Sequence, residues 1–371
     1  MRIEVVVNAN ARRGSHNVLR ALERALPAAN LRRTRSLEDV EILAKSFVSS
    51  PPDLVLSAGG DGSALALVNA VRRARDASPR AERGPLLRMG LLRLGTGNGW
   101  AHSCGAPRLG LGLKRLSDFV ERGGRARDLP LLRYDLVEAD GMLAHFAGTG
   151  WDAELIDDFH GQKHDTSVIP SWARNGLVGY LNGLFTRSVP RNLRLPRVEI
   201  EVKNTGSAAL GIDARGRPFD LVGGDAGRVL YRGPVSICGV GTSPQWGFGF
   251  RAFPFARLVP GRFNLRMYVG TTKEALARVP QLWAGRHPMP KMLTWMLTRC
   301  SVELSRPVPF QAGGDLLGHR DRIEYGISGE TVEVLDWRAF GRLVGAPERL
   351  LKDVIAGQLE PVLAQSGIIG S

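Results

Sequence analysis

The chain is predicted to be an α/β plus β protein, with an N-terminal doubly wound parallel sheet followed by a second, mainly antiparallel β domain. Three observations carry this. Short apolar strands alternate with helical runs over the first third of the sequence, the pattern of strands that need helices on both faces. Glycine-rich turns follow the second and third of those strands at once, as at the carboxyl edge of a parallel sheet. Beyond about residue 125 the texture changes to the period-two alternation of antiparallel strands.

The elements follow in order. Residues 3–7, all apolar but one, read as a buried strand, and 17–26 as a helix with Val18, Leu19, Leu22 and Leu26 on one face. A second apolar strand covers 53–57, a helix 64–74, and a third strand 89–94. Segments 134–138 and 143–146 form a hairpin about Asp140-Gly141, a dipeptide suited to positive φ at both turn positions. Strands are expected at 198–202, 263–269, 301–304, 322–327 and 331–335, and helical pieces at 177–185 and 273–283. The Met- and Trp-rich run 288–299 is read as a core helix in preference to an interfacial lipid contact. A helical segment at 338–364 packs back on the first domain. The division is therefore 1–128 with 338–371 as a nucleotide-binding domain, and 129–337 as a β-rich substrate domain.

At 371 residues with 43% hydrophobic content, both domains can fill a core. Three scattered cysteines with no CxxC pair exclude a zinc ribbon or a disulfide framework, and the histidines show no metal spacing. The start of the chain lacks the pattern of a cleaved leader, and no run of about 18 apolar residues occurs, so the expectation is a cytoplasmic protein whose membrane contact is peripheral. Fifty Lys and Arg against 36 Asp and Glu give a net charge of +14. That excess favours anionic partners: nucleotides or the negative face of a bilayer. Charge alone supports nucleic acid, with no stacking platform or recognition motif beside it, so no nucleic-acid partner is expected.

The strongest local signal is Ser57-Ala-Gly-Gly-Asp-Gly-Ser63, between a strand and a helix. Gly59, Gly60 and Gly62 let the backbone approach a ligand, and the amides opening the helix, with Ser63, suit phosphate. Asp61 would be repelled by bare phosphate; it makes sense as a holder of Mg²⁺ or water, or as a residue that orients the loop. A second loop, Leu94-Gly-Thr-Gly-Asn-Gly99, offers Gly95, Thr96, Gly97 and Asn98. A third, Asn8-Ala-Asn-Ala-Arg-Arg-Gly14, offers Asn8 and Asn10 toward a ribose or the loop backbone and Arg12 or Arg13 toward phosphates. Three such loops at neighbouring strand ends point to a nucleotide crevice. There is no GxxxxGK[ST], and no GxGxxG after the first strand, which argues against a P-loop ATPase and a simple dehydrogenase.

Together these loops resemble the catalytic domain of the diacylglycerol kinase family, which includes sphingosine and ceramide kinases; Asp128 and Ala147-Gly-Thr-Gly-Trp-Asp-Ala153 look like that family's entry into the β domain. The resemblance implies ATP and Mg²⁺, with γ-phosphoryl transfer to a lipid hydroxyl at an anionic bilayer surface. It implies Asp61 and Asp128 on the metal side; the family's catalytic base falls on Gly313 in Gly313-Gly314-Asp315, and Asp315 takes that role if the alignment shifts by a residue or two. The sequence also departs from the family pattern. Gly99 stands where the Gly-Thr-Gly-Asn loop usually has Asp, Leu65 and Ala66 where an Asn-Glu pair is usual, Gly313 at the base position, and Pro260-Gly261 at an Asp-Gly. Two other readings stand beside the lipid kinase: a catalytically degenerate nucleotide- or lipid-binding regulatory module, and an NAD kinase, whose Gly-Gly-Asp-Gly loop is similar. Monomer and homodimer are both left open.

Overall fold

The computed structural model describes residues 1–9, 16–78, 84–95, 97–164, 182–247 and 249–345, without the side chains of 152, 159–164, 184 and 185. The chain divides into two compact units, Met1–Tyr134 with the return from Glu330, and Asp135–Gly329.

In the first unit the strands β1 (Ile3–Asn8), β2 (Asn30–Thr34), β3 (Leu54–Gly59) and β4 (Arg88–Arg93) lie in the order β2-β1-β3-β4. All pair in parallel, and Glu333 and Val334 of the returning chain add a further parallel pairing beside β4. Parallel strands buried on both faces read as continuous apolar runs, and Val5, Leu54, Val55, Leu56 and Met89 are fully buried. The helices are α1 (His16–Ala25), α2 (Leu37–Ser49), α3 (Asp61–Asp76), α4 (Gly99–Ser103) and α5 (Leu109–Glu121). α2 packs on α3, while α1 and the returning helix Trp337–Gly345 both pack on α5. These two groups give the doubly wound arrangement. Phe119 of α5 meets Phe340 of the return edge to face, with ring centres 5.3 Å apart.

The second unit is antiparallel. Its strands are β5 (Leu131–Ala139), which begins within the first unit, β6 (Met142–Ala144), β7 (Phe146–Gly150), β8 (Val198–Asn204), β9 (Leu210–Ile212), β10 (Pro218–Asp220), β11 (Val229–Val235), β12 (Ile237–Gly241), β13 (Phe263–Tyr268), β14 (Met292–Leu297), β15 (Arg299–Ala312) and β16 (Asp315–Leu335). They run β10-β9-β14-β13-β12-β7-β15-β16, with β8 and β11 extending from β15. Helix α6 (Trp151–His164) follows β7; the short helices α7 (Val189–Arg194), α8 (Thr272–Ala277) and α9 (Val279–Trp283) complete the unit. The Asp140-Gly141 hairpin forms as expected, with φ of 50° and 73° at its two turn residues.

Three expectations are corrected. The run 288–299 holds strand β14 rather than a helix: it is paired on both edges, by β13 and β9, and a strand buried on both faces has the continuous apolar texture of a buried helix. Segments 322–327 and 331–335 are parts of one 21-residue strand, because Gly326 and Gly329, which look like breaks, are carried within it. The helical piece at 273–283 is two helices meeting at Arg278, since Pro280 cannot continue α8 and instead sits in the first turn of α9. Residues 177–181 and 346–371, where further helix was expected, lie outside the described residues.

His145 sets an acid sensitivity in this unit. It is fully buried, 4.6 Å from the Phe146 ring centre, and burial pushes its pKa down to about 3. The unfolded chain takes up that proton near pH 6.5, so this residue's stability is complete above that value and lost as the pH falls toward 3. Between pH 7 and 4 it should remove about 3 kcal/mol from unfolding free energy. Urea titrations of the wild type and a His145→Phe variant should differ by that amount in their pH dependence.

Candidate functional site

The site is built where β1, β3 and β4, neighbours in one parallel sheet, end. Each strand delivers one of the loops singled out in the sequence, and direct contacts join them in sequence. From the first, the Asn8 side-chain amide donates to Ser63 Oγ at 2.7 Å, tying the end of β1 to the first turn of α3. The tie is tight: a Cβ added at Gly59 would lie 2.7 Å from Ser63 Cβ and 3.5 Å from Asn8 Cβ. The second and third loops meet backbone to backbone. A Cβ at Gly95 would stand 2.3 Å from Gly60 Cα and 3.1 Å from Gly60 N. Glycine is thus required at 95 by close approach.

Asp61 makes the last link. It accepts the Gly99 N–H at 2.6 Å, and the Trp100 and Ala101 amides also bond its carboxylate. These are orphan donors at the start of α4, the groups that a helix end leaves without intrahelical partners. Asp61 therefore caps the helix of the neighbouring loop. Burial pushes its pKa up to about 6, with the three amides pulling the other way. Asn98 closes its own loop: Gly95 N donates to Oδ1 at 2.9 Å, and Nδ2 donates back to Gly95 O at 2.7 Å. It does so with φ 49° and ψ 36°, a left-handed conformation that asparagine tolerates better than most residues. Asn98 thus shapes the loop that the sequence assigned to phosphate contact.

Beside these loops lies a cleft of about 320 Å³, lined by Asn8, Ser57 and Ser63 on one side and by Thr34, Arg35 and Ser36 on another. Its size and its mix of hydroxyl, amide and guanidinium groups suit a polar ligand such as a nucleoside or its phosphates. Thr34 to Ser36 were missed by sequence reasoning. The signal that would have found them is Ser36-Leu-Glu-Asp39. The Ser36 hydroxyl accepts the Asp39 amide at 3.2 Å and the Asp39 carboxylate accepts the Ser36 amide at 3.2 Å, a capping box that fixes the start of α2 against the cleft.

The other expected site residues are distributed as follows. Gly62 and Ser63 lie in the first turn of α3, and Gly97 is partly buried in the third loop. Asn10, Arg12 and Thr96 lie outside the described residues. Asp128 ends a single 3₁₀ turn and accepts the Arg125 amide at 2.9 Å, with Arg127 Nε 3.8 Å away. Asp315 is in the second unit, exposed, one residue past a tight turn whose Gly313 and Gly314 have φ of 62° and 92°. Leu65, at one of the positions departing from the family pattern, is buried; Ala66 forms part of the cleft wall. Among the described residues no group of three His, Cys, Asp or Glu gathers to hold a metal.

In the second unit, Phe253 of the aromatic stretch 239–255 is buried in a core cluster, and the partly buried Trp246 and Phe250 pack against that cluster. Trp246, Phe250, Phe253 and Tyr268 surround a cavity of only about 20 Å³, room for a single water. Arg266 also lines it, donating to the carbonyls of Ala252 and Arg286 at 3.2 and 2.7 Å, and burial pulls its pKa down to about 10.

Comparison with known proteins agrees with the reading of the loops. Residues 2–128 match the sequence model of the diacylglycerol kinase catalytic domain. A diacylglycerol kinase structure from Bacillus anthracis str. Sterne is similar at a TM-score of 0.57 and 13% identity, covering 90% of this chain and 96% of that one. A candidate diacylglycerol kinase from the same organism has a TM-score of 0.57 at 14% identity, covering 91% and 98%. An NAD kinase from Archaeoglobus fulgidus in complex with ATP reaches 0.45 at 12% identity, covering 96% and 99%. The two former likenesses establish the fold. No curated protein matches the chain.

Proposed function

We propose that this chain, which carries a diacylglycerol kinase catalytic domain over residues 2–128, is a lipid kinase that transfers the γ-phosphoryl group of Mg·ATP to a lipid hydroxyl. The observation that carries the reading is the joining of three loops into one cradle, through Asn8–Ser63, Gly60–Gly95 and Asp61–Gly99. Phosphoryl transfer asks little covalent chemistry of a protein and much positioning. The amides of the loops after β3 and β4 would bind phosphate oxygens, Asn8 and Ser63 would orient the nucleoside side, and Arg35 would add positive charge. Mg²⁺ would come with ATP and offset the charge of the phosphates. The first unit would serve the nucleotide and the second the lipid. Asp61 and Asp128 remain the metal-side candidates of this reading and Asp315 its candidate base. No helix among the described residues is long and apolar enough to cross a membrane, so the lipid would be met from the surface, on the cytoplasmic side.

The test is transfer from radiolabelled ATP with Mg²⁺ to a mixed bacterial lipid extract, with ATP affinity measured in parallel by calorimetry. Labelled lipid is the expected result. An Asp315→Asn variant should then keep its ATP affinity and lose about 10²–10⁴-fold in kcat. ATP binding with no transfer to any lipid would overturn the kinase and leave a nucleotide-binding regulatory module. Gly99 in place of the family's carboxylate and the buried Leu65 are the observations that favour this second reading.

A further inference from the structure

The second unit carries a surface that the nucleotide site does not account for. Helices α7, α8 and α9 pack on one another, and Thr272 Oγ1 donates to the Asn192 carbonyl at 2.9 Å to join the first two. Their inner residues Val189, Ala275 and Leu282 are buried. Four large apolar side chains on and beside these helices are exposed in part: Leu193 48%, Leu195 47%, Val279 38% and Trp283 37%, the last with its ring centre also 5.4 Å from that of Phe250. Single exposed apolar residues are ordinary, but a group of them on adjoining elements marks an interaction face.

The charge around them selects the partner. Arg194, Lys273 and Arg286 are exposed on or beside these helices. The only carboxylate on the three helices, Glu274, is held by Lys291 Nζ at 2.8 and 3.0 Å and by the Thr271 amide at 2.8 Å. The face therefore presents Leu, Val and Trp among cations, with its one anion neutralised. Short helices with an apolar side, a Trp and flanking Arg and Lys are suited to the interface of a bilayer, where the apolar groups enter the headgroup boundary and the cations meet anionic lipid. A second exposed apolar point gives the contrast. Phe219 and Val222, 47% and 99% exposed, sit among Asp213, Asp220 and Asp225 balanced by Arg215, Arg217 and Arg228, with Arg217 paired to Asp213 at 2.9 Å, so no excess of cations surrounds them.

We propose that the face formed by α7, α8 and α9 docks this protein on an anionic bilayer surface. The inference does not depend on phosphoryl transfer, because docking needs neither ATP nor a lipid hydroxyl. It is tested by flotation of the full chain with vesicles of phosphatidylglycerol and phosphatidylcholine, and with vesicles of phosphatidylcholine alone, in the absence of nucleotide. Binding to the anionic vesicles should fall by about tenfold or more in Leu193→Ser/Leu195→Ser and in Trp283→Ala. It should fall similarly in Arg194→Gln/Lys273→Gln, at about fivefold for each cation removed. Phe219→Ser/Val222→Ser should bind within about twofold of wild type. An unchanged urea midpoint in each variant shows that the fold is intact; the charge pair, on the surface, keeps the test open if an apolar variant misfolds. Equal losses in the Phe219 control, or no loss on α7 and α9, would overturn the proposal. So would a dimer in sedimentation that the Leu193 and Leu195 changes dissociate, since the face would then belong to a second copy.

Discussion

Asp61→Ala is expected to weaken ATP binding by about ten- to a hundredfold, and added Mg²⁺ should not restore it. The carboxylate is bonded by the Gly99, Trp100 and Ala101 amides, so its removal strands three donors at the start of α4. Losing a helix cap costs about 0.5–2 kcal/mol, and leaving a buried donor unpaired about 1–3 kcal/mol more. That free energy falls on the loop that meets Gly60 and would hold phosphate. Were Asp61 instead chiefly a metal ligand, raising Mg²⁺ would recover most of the affinity, which separates the two roles in one titration. An Asp61→Asn variant should be intermediate, since one oxygen still accepts while the new NH₂ faces donors. The pH dependence gives a second check. Burial raises this carboxyl from 3.8 to about 6, so its contribution to folding is present below 3.8 and lost as the pH rises through 6, opposite in sign to that of His145. Its capping role runs the other way, because only the carboxylate accepts from all three amides. ATP affinity should therefore improve as the pH rises from about 5 to 7 in the wild type, and stay flat across that range in Asp61→Asn.

Much of this site was legible before any coordinates, and the reason is chemical. The loops are glycine-rich because backbone must approach backbone at Gly60 and Gly95 and side chains crowd Gly59, so the sequence pattern is the direct trace of the packing constraint. The doubly wound sheet was legible for the same kind of reason: Val5, Val55 and Leu56 are buried in strands covered on both sides, and Glu4 is the one polar residue within 3–7. What was not legible depends on contacts between distant residues. That Asp61 caps a helix beginning 38 residues later has no local signature. β2 was missed because it is an edge strand carrying Arg32 and Arg33, in which the apolar alternation that identifies a strand is absent. β14 was misread because burial on both faces removes the polar alternation that tells a strand from a helix. The docking face escaped notice because α7 and α9 are six and five residues long, too short to show a helical period.

Gly95→Ala should be the most damaging single methyl group in the first unit, with ATP affinity reduced by about a hundredfold or more and a stability loss of about 1–3 kcal/mol. The added Cβ would lie 2.3 Å from Gly60 Cα, where carbon atoms pack at about 3.5–4.0 Å. Both neighbours are main chain, so no rotamer change relieves the clash, and one of the loops must move. Neither is free to do so cheaply: Gly59 and Arg93 are paired in register just before them, and the Asn98 side chain holds Gly95 by two hydrogen bonds. The displacement would therefore separate the two loops whose contact makes the cradle. Gly110→Ala supplies the control, because it too adds one methyl to a glycine of the same unit. Gly110 lies in the first turns of α5 with nothing within 4 Å of the new carbon, and alanine there should raise stability by about 0.5–1 kcal/mol while leaving ATP binding alone. Calorimetry and urea unfolding on the pair would decide the matter: if the Gly95→Ala protein binds ATP like the wild type, the Gly60–Gly95 contact is not what assembles the site, and the nucleotide must be held elsewhere on the chain.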